Sequence, residues 1–213
     1  MIGPEEITPT YPAPRRLRVA IDPGHGCSTG CRVNTFQEDD FCLDVLLDLR
    51  RRVQMRTDLV LLPSRLSSLH NPSLLERAQH AREARCDFAI SVHVNSGDPQ
   101  EHGPITFHMG YNPVAMHIAR TMADSLSAWG GEYVSLGGAV LPMRGHVHVA
   151  MPGGWTRRAY NVLAVYGNLP AVLLECDYAT HELARLRLMT PEGIDRVVAA
   201  VLDGIEAGRE AVA

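Results

Sequence analysis

The sequence lacks the long apolar run that a membrane-spanning helix requires. No stretch of its 213 residues approaches the roughly 20 consecutive apolar residues that cross a bilayer. The first residues, Met1–Glu6, contain acids and a proline where a secretory signal would have basic residues followed by an apolar segment. We therefore expect no membrane span and no signal peptide within this chain.

Concentrated positive charge is scarce as well. The chain has 20 lysine and arginine residues against 24 acidic ones, which gives a formal net charge of −4. A nucleic-acid-binding domain normally carries a basic patch or stripe. The cluster Arg50–Arg52 falls inside a predicted helix, where a solvated charged face is ordinary. We expect no nucleic-acid partner.

The five cysteines lack the paired CxxC spacing of a structural zinc site. Cys42, Cys86 and Cys176 lie in or beside apolar segments, which predicts small core residues. Cys27 and Cys31 flank a short Ser-Thr-Gly loop. We interpret these two as free thiols, with a disulfide or extra metal ligands as alternatives, because cysteine count alone does not assign pairing.

What the sequence does contain is an alternation of strand-like and helix-like segments. With 46% hydrophobic residues the chain suits one domain with a sizeable core. Residues 1–16 are rich in proline and are predicted to form an extended or disordered leader, so that residues 17–213 form the domain. The alternation is typical of an α/β sheet covered by helices on both faces.

The predicted elements follow from apolar periodicity and from turn residues. Strands are predicted at Leu17–Asp22, Leu59–Leu62, Phe88–Val94, Gly103–His108, Val162–Tyr166 and Ala171–Glu175. Helices are predicted at Gln37–Met55, Ser73–Arg85 and Pro113–Trp129, and from Pro191 towards the C-terminus with Thr190 as N-cap. Region 130–160 contains three Gly-Gly pairs and is predicted to be a long loop system.

Ionisable residues follow or close three of these strands. His25 follows the first strand in the segment Asp22-Pro-Gly-His-Gly26, whereas His93 and Glu175 close two later ones. The carboxyl ends of strands form the ligand crevice in open α/β sheets. Two histidines and a glutamate are a common ligand set for catalytic zinc, which leaves a position for water. Together with Glu38 at a helix start, these residues predict a metal site with a catalytic base.

Glu38 has two interpretations. Thr35-Phe-Gln-Glu38 fits a capping box, in which the glutamate bonds back to the helix cap. Glu38 also lies one turn before Cys42, on the apolar stripe that should face the sheet. A carboxylate aimed inward is costly unless it is paired, hydrogen-bonded or bound to a metal. We prefer the ligand interpretation.

The other three residues also have structural alternatives. His25 could be a turn residue, His93 a hydrogen-bonded strand residue, and Glu175 a salt-bridged or capping residue. A carboxyl group half-buried at a strand end should instead have a raised pKa, which suits a general base near neutral pH. The convergence of all four favours a functional site.

Several motifs in order resemble the zinc-dependent N-acetylmuramoyl-L-alanine amidases of the Amidase_3 type, which cleave peptidoglycan. The matching segments are Ile21-Asp-Pro-Gly-His-Gly26, Glu38-Asp-Asp-Phe-Cys-Leu-Asp44, Leu75-Glu-Arg77, Ser91-Val-His-Val-Asn95 and Leu169-Pro-Ala-Val-Leu-Leu-Glu175. They occur at compatible spacings and span nearly the whole chain from Leu17 onward.

The resemblance implies that His25, Glu38 and His93 bind one zinc ion and that Glu175 is the catalytic acid/base. It also implies a single α/β domain with a twisted, mostly parallel sheet of about six strands. The expected substrate is peptidoglycan or muropeptides, cleaved at the amide between N-acetylmuramic acid and L-alanine. We expect a monomer that reaches the wall either by endolysin-like release from the cytoplasm or through a leader absent from this chain.

Two other functions are kept as alternatives. One is a zinc amidohydrolase or peptidase of the same fold that acts on another amide, which the divergent loop 130–160 favours. The other is a non-catalytic module that binds wall or protein and keeps a structural zinc. His146-Val-His148 in that loop could touch metal or substrate, although an exposed loop pair is the preferred interpretation.

Overall fold

The computed structural model describes residues 15–109, 112–129, 132–136 and 161–213. The strands are β1 (Leu17–Pro23), β2 (Arg32–Val33), β3 (Phe36–Gln37), β4 (Leu59–Pro63), β5 (Phe88–Asn95), β6 (Ile105–Met109), β7 (Glu132–Leu136) and β8 (Ala171–Tyr178). The helices are α1 (Glu38–Val53), α2 (Leu74–Glu83), α3 (Pro113–Ser125), α4 (Glu182–Leu188) and α5 (Pro191–Val212), and a 3-10 turn spans Ser127–Trp129.

Six of the strands form one sheet in the order β4-β1-β5-β8-β6-β7. Neighbouring strands are parallel except for β6 and β8, which pair antiparallel. Strands β2 and β3 form a separate antiparallel ribbon just before α1. The predicted α/β class and the mostly parallel sheet are therefore confirmed.

Helices cover both faces of the sheet, and each face has its own core. The strand residues Val19, Phe88 and Ile90 lie in one core with residues of α1, α3 and α5. The other core contains Ala89 and Phe107 with residues of α2. Because both faces are covered, the strands are almost continuously apolar rather than alternating.

One predicted strand is wrong. Residues 162–164 of the predicted strand Val162–Tyr166 are helical, and a turn follows. Leu163 and Tyr166 are both buried in the second core, three residues apart, which is a helical spacing. The β-branched Val162 and Val165 favoured a strand, but tertiary packing overrides such local preference.

The sixth strand lies instead where a loop was predicted. Strand β7 occupies Glu132–Leu136, and glycines flank it at positions 131 and 137. Glycines at these positions usually indicate turns or loops, so the sequence pattern did not indicate the strand of ordinary length between them. The rest of the predicted loop, including His146 and His148, lies outside the described residues, as does the leader up to residue 14.

Helix boundaries largely follow the capping residues. Thr190 caps α5 by accepting from the Gly193 amide at 3.0 Å, and Ser73 and Glu76 form a capping box at α2. Helix α4 was not predicted, because its seven residues give too little periodicity to detect. In the described part of the chain, no helix is both long and apolar enough to span a bilayer.

The predicted environment of the cysteines agrees with the structure. Cys42, Cys86 and Cys176 are buried, and all five cysteines are free thiols. Burial raises the pKa of the Cys42 and Cys176 thiols, so both stay protonated and behave as small core residues.

Two glycines of α5 differ in how closely the core approaches them, and alanine should distinguish them. A Cβ at Gly208 would lie 2.4 Å from the Phe88 ring, whereas one at Gly204 would meet the flexible Met122 side chain at 2.6 Å. Gly208→Ala should lower the free energy of unfolding by about 1–2 kcal/mol, because overpacking exceeds the gain in helix propensity. Gly204→Ala should stay within about 1 kcal/mol of the original protein. Urea unfolding monitored by circular dichroism measures both, and a larger loss at Gly204 would contradict this account of the packing.

Candidate metal centre and active site

The loop after β1 places His25 beside β5. The Gly24 amide donates to the Val92 carbonyl at 2.8 Å, so the backbone follows β5 to the sheet edge before it turns. His25 then adopts φ 60°, a left-handed conformation that costs free energy in a residue with a Cβ. Gly26 follows with φ 141°, where a Cβ would lie 2.2 Å from the His70 carbonyl oxygen. The histidine is therefore held in a strained turn that only glycine could complete.

Glu38 begins α1 and points its carboxylate into the interior. The helix N-cap is Gln37, whose side chain makes no capping hydrogen bond, so the structure does not contain the capping box that was the alternative interpretation of Glu38. The Glu38 carboxylate is 3% exposed and accepts hydrogen bonds from the Val94 amide at 3.0 Å and the Cys31 amide at 2.6 Å.

Three candidate ligand atoms converge at this point. Glu38 Oε1 lies 3.1 Å from His25 Nε2 and 3.1 Å from His93 Nδ1. The two imidazole rings are 4.9 Å apart and nearly perpendicular, at 81°. Ligand atoms of a tetrahedral zinc with bonds of about 2.0–2.1 Å would be separated by about 3.3 Å. The donor types and the two distances to Glu38 Oε1 therefore fit one zinc ion, and all three ligand atoms lie within 4.8 Å of one another.

Two glycines leave room for these side chains. A Cβ at Gly24 would lie 2.5 Å from the His93 ring, and one at Gly30 would lie 2.8 Å from both Glu38 Oε2 and the His25 ring. Any larger residue at either position would push a candidate ligand out of place. The close backbone approach is thus part of the site's construction.

The electrostatics keep Glu38 ionised. Burial alone would raise the pKa of this carboxyl group, but hydrogen bonds and charge from His25 and His93 outweigh burial and lower it. A carboxylate with a lowered pKa is available as an anionic ligand throughout the neutral range.

Glu175 lies next to His93 on the adjacent strand. The two residues are partners in the parallel pairing of β5 and β8, so their side chains are on the same face of the sheet. Glu175 is half-buried and lines a cavity of about 780 Å³ together with the three candidate ligands. All four residues singled out from the sequence therefore meet at one cavity.

A buried ion pair also lines this cavity. Arg77 Nη1 is 2.5 Å from Asp22 Oδ1, and Arg77 Nη2 donates to the His25 carbonyl at 2.7 Å. The hydroxyls of Ser64 and Ser91 donate to the same aspartate at 2.5 and 2.7 Å. Burial would raise the pKa of Asp22, but Arg77 and the hydroxyls lower it.

A second buried arginine lies close by. Arg65 is 2% exposed and directly follows Ser64 after the carboxyl end of β4. Sequence reasoning gave no role to Arg65, Arg77 or Asp22. Arg65 follows the carboxyl end of β4 just as His25 follows that of β1, so the same sequence signal marks both residues.

The cysteines near the site stand outside the converging group. Of the described residues, the group that could hold a metal consists of His25, Glu38 and His93, without Cys27 or Cys31. Cys31 contributes its backbone amide to Glu38, and burial together with Glu38 raises the pKa of its thiol. Cys27 Sγ donates to the Leu69 carbonyl at 3.0 Å.

Comparison with models of known protein families identifies one family that matches this chain. A sequence model described as N-acetylmuramoyl-L-alanine amidase matches residues 19–207. Comparison with curated proteins by sequence gives no match.

Solved structures of such amidases share the fold. One from Clostridium difficile 630 has a TM-score of 0.73 at 19% identity, covering 92% of this chain and 98% of that one. One from Mycobacterium smegmatis has a TM-score of 0.68 at 20% identity, with 92% and 98% covered. One from Nostoc punctiforme has a TM-score of 0.67 at 22% identity, with 89% and 95% covered.

The Asp22–Arg77 pair predicts a defined pH dependence of stability. The pKa of Asp22 in the folded state is lowered below 3.8, so its contribution is present above that pH and is lost as pH falls through the folded value. In metal-free protein, Asp22→Asn should lower the free energy of unfolding by about 3 kcal/mol near pH 7, because Arg77 stays buried without its partner.

Urea unfolding between pH 3 and pH 7 measures this difference. The gap between Asp22→Asn and the original protein should narrow towards the acid end, as Asp22 itself becomes protonated. The exposed Asp124 is the control, since Asp124→Asn should change little at any pH. A gap that stayed constant with pH would contradict the role given to the ion pair.

Proposed function

The chain belongs to the N-acetylmuramoyl-L-alanine amidase family, which hydrolyses the amide bond between N-acetylmuramic acid and L-alanine in peptidoglycan, and we propose that His25, Glu38 and His93 hold a single zinc ion at its active site, with Glu175 as catalytic base. The observation that carries this proposal is the convergence of the three ligand atoms within 4.8 Å of one another.

The ligand set suits a catalytic rather than a purely structural zinc. Two neutral imidazoles and one carboxylate leave the centre with a net positive charge and a coordination position free for water or substrate. When bound, zinc supplies Lewis acidity at the scissile carbonyl and makes water more acidic. The cavity beside the three residues gives the substrate access to that position.

Glu38 and its backbone donors define the geometry of the centre. The Val94 and Cys31 amides hold both carboxylate oxygens, which leaves little freedom for the side chain to rotate. His93 is fixed by its strand and His25 by the turn between Gly24 and Gly26. The three donors are thus preorganised, which reduces the rearrangement that metal binding would require.

Glu175 is positioned to move the proton. Glu175 lies on β8, the strand adjacent to that of His93, on the same face of the sheet, and both residues line the same cavity. It would accept a proton from the attacking water and return that proton to the departing alanine nitrogen. Cleavage of the carbon–nitrogen bond then leaves a lactyl carboxylate on the sugar and a free amino terminus on L-alanine.

Substituting the proposed base should separate chemistry from metal binding. Glu175→Gln should reduce the hydrolysis rate by about 10²–10⁴-fold while zinc content stays near one per chain, because proton transfer is lost and the ligands are intact. Glu38→Gln should instead lose zinc. Turbidity loss of purified walls and metal analysis of the same samples are the measurements. The exposed Glu83 provides the control, since Glu83→Gln should be normal in both assays. Near-normal wall lysis by zinc-loaded Glu175→Gln would remove Glu175 from the mechanism.

Metal removal and product analysis test the reaction itself. Chelator-treated protein should be inactive and should regain activity with added zinc. Mass spectrometry of digested muropeptides should show free L-alanine amino termini and intact lactyl groups on the sugar. An amidohydrolase for another amide would leave muropeptides intact, and a non-catalytic module would bind walls without releasing either product.

A further inference from the structure

Arg65 is buried, and among the residues that the structure describes it has no carboxylate partner of the kind that a buried arginine normally has. Its guanidinium donates to the backbone carbonyls of Pro23, Gly24, Asp39 and Ser67, at 3.0, 2.7, 2.7 and 3.2 Å. Arg77, by contrast, forms an ion pair with Asp22. Burying a guanidinium is costly unless its donors are satisfied, and burial lowers the pKa of Arg65. We therefore expect the buried guanidinium of Arg65 to have a role that compensates for the cost of burying it.

The contacts of Nη2 supply one. This nitrogen donates at once to the Gly24 carbonyl, one residue before His25, and to the Asp39 carbonyl, one residue after Glu38. The two candidate ligands come from different elements, a loop after β1 and the first turn of α1. One nitrogen atom thus joins the two backbone segments that carry them.

Charge alone does not account for Arg65. A buried positive charge next to a cation site weakens cation binding, because like charges repel strongly where water is excluded. A purely electrostatic role and a positioning role therefore have opposite effects on metal affinity. Removing the guanidinium would tighten metal binding in the first case and weaken it in the second.

We infer that Arg65 is a positioning residue, which fixes the His25 loop against the start of α1 and so sets the affinity of the centre for its metal. The inference rests on the proposed function, in which His25 and Glu38 are zinc ligands. Arg77 supports the same loop through the His25 carbonyl, but its ion pair with Asp22 also stabilises the fold, so Arg65 is the sharper test.

The test compares Arg65→Met, which keeps the length of the side chain, with the original chain. The dissociation constant for zinc is measured by competition with a chromophoric chelator, and the visible spectrum of the cobalt-substituted protein reports ligand geometry. Arg65→Met should bind zinc about 10–100-fold more weakly, the effect typical of residues that orient ligands. Its cobalt spectrum should change in shape. Unchanged or tighter zinc binding would overturn the inference.

Arg65→Lys tests whether the fork geometry matters. Lysine keeps the positive charge but presents a single nitrogen in place of a planar fork of donors. Arg65→Lys should bind zinc more weakly than the original chain. A zinc affinity equal to that of the original chain would overturn the positioning role of the guanidinium fork. If Arg65→Met fails to fold, as judged by circular dichroism of metal-free protein, the lysine variant decides.

Arg82 provides a matched control. It is exposed and also donates to a backbone carbonyl, that of Val165 at 2.7 Å, so Arg82→Met should leave zinc affinity unchanged. The two proposals can fail separately. If the original chain binds no zinc, the metal centre is wrong and Arg65 has nothing to position. If it binds zinc and Arg65→Met binds equally well, only the role of Arg65 is wrong.

Discussion

The parallel pairing of β1, β5 and β8 is the constraint on which the site depends. It brings the carboxyl ends of three strands to one edge, with Pro23 level with Val92 and His93 level with Glu175. A shift of one residue in either pairing would turn a site residue to the opposite face of the sheet. The apolar side chains on both faces hold the register, so the cores specify the site although they contain none of its chemistry.

Several buried charged residues surround the site, and the balance of their charges bears on whether the site binds a cation. Five charged residues in or next to the site are buried, namely Asp22, Glu38, Asp39, Arg65 and Arg77. Their formal charges sum to −1, from three acids and two bases. Burying such groups is costly unless they are hydrogen-bonded and compensated. A bound cation would offset the remaining negative charge, which agrees with the donor set of the candidate centre.

The sequence predicted the parts of this arrangement that are local. The alternation in β5 correctly separated Phe88, Ile90, Val92 and Val94 from the face of His93. The helical spacing of α1 correctly predicted that Glu38 faces inward, in preference to the alternative in which it forms a capping box. Errors arose where local preference and packing disagree, as at Val162–Tyr166, and where glycines surround a strand, as at β7. Both are decided by contacts with distant residues, which a short window of sequence does not contain.

The sequence by itself determined the chemistry that is present: which ionisable residues end the strands, in what order, and with which glycines beside them. Only the tertiary structure decided that His25 and His93 meet at Glu38 Oε1, that Glu175 is the strand neighbour of His93, and that Arg65 and Arg77 hold the loop of His25 through its backbone carbonyls. The reason is that periodicity encodes the face on which a residue lies, whereas strand order and buried polar contacts arise from long-range packing.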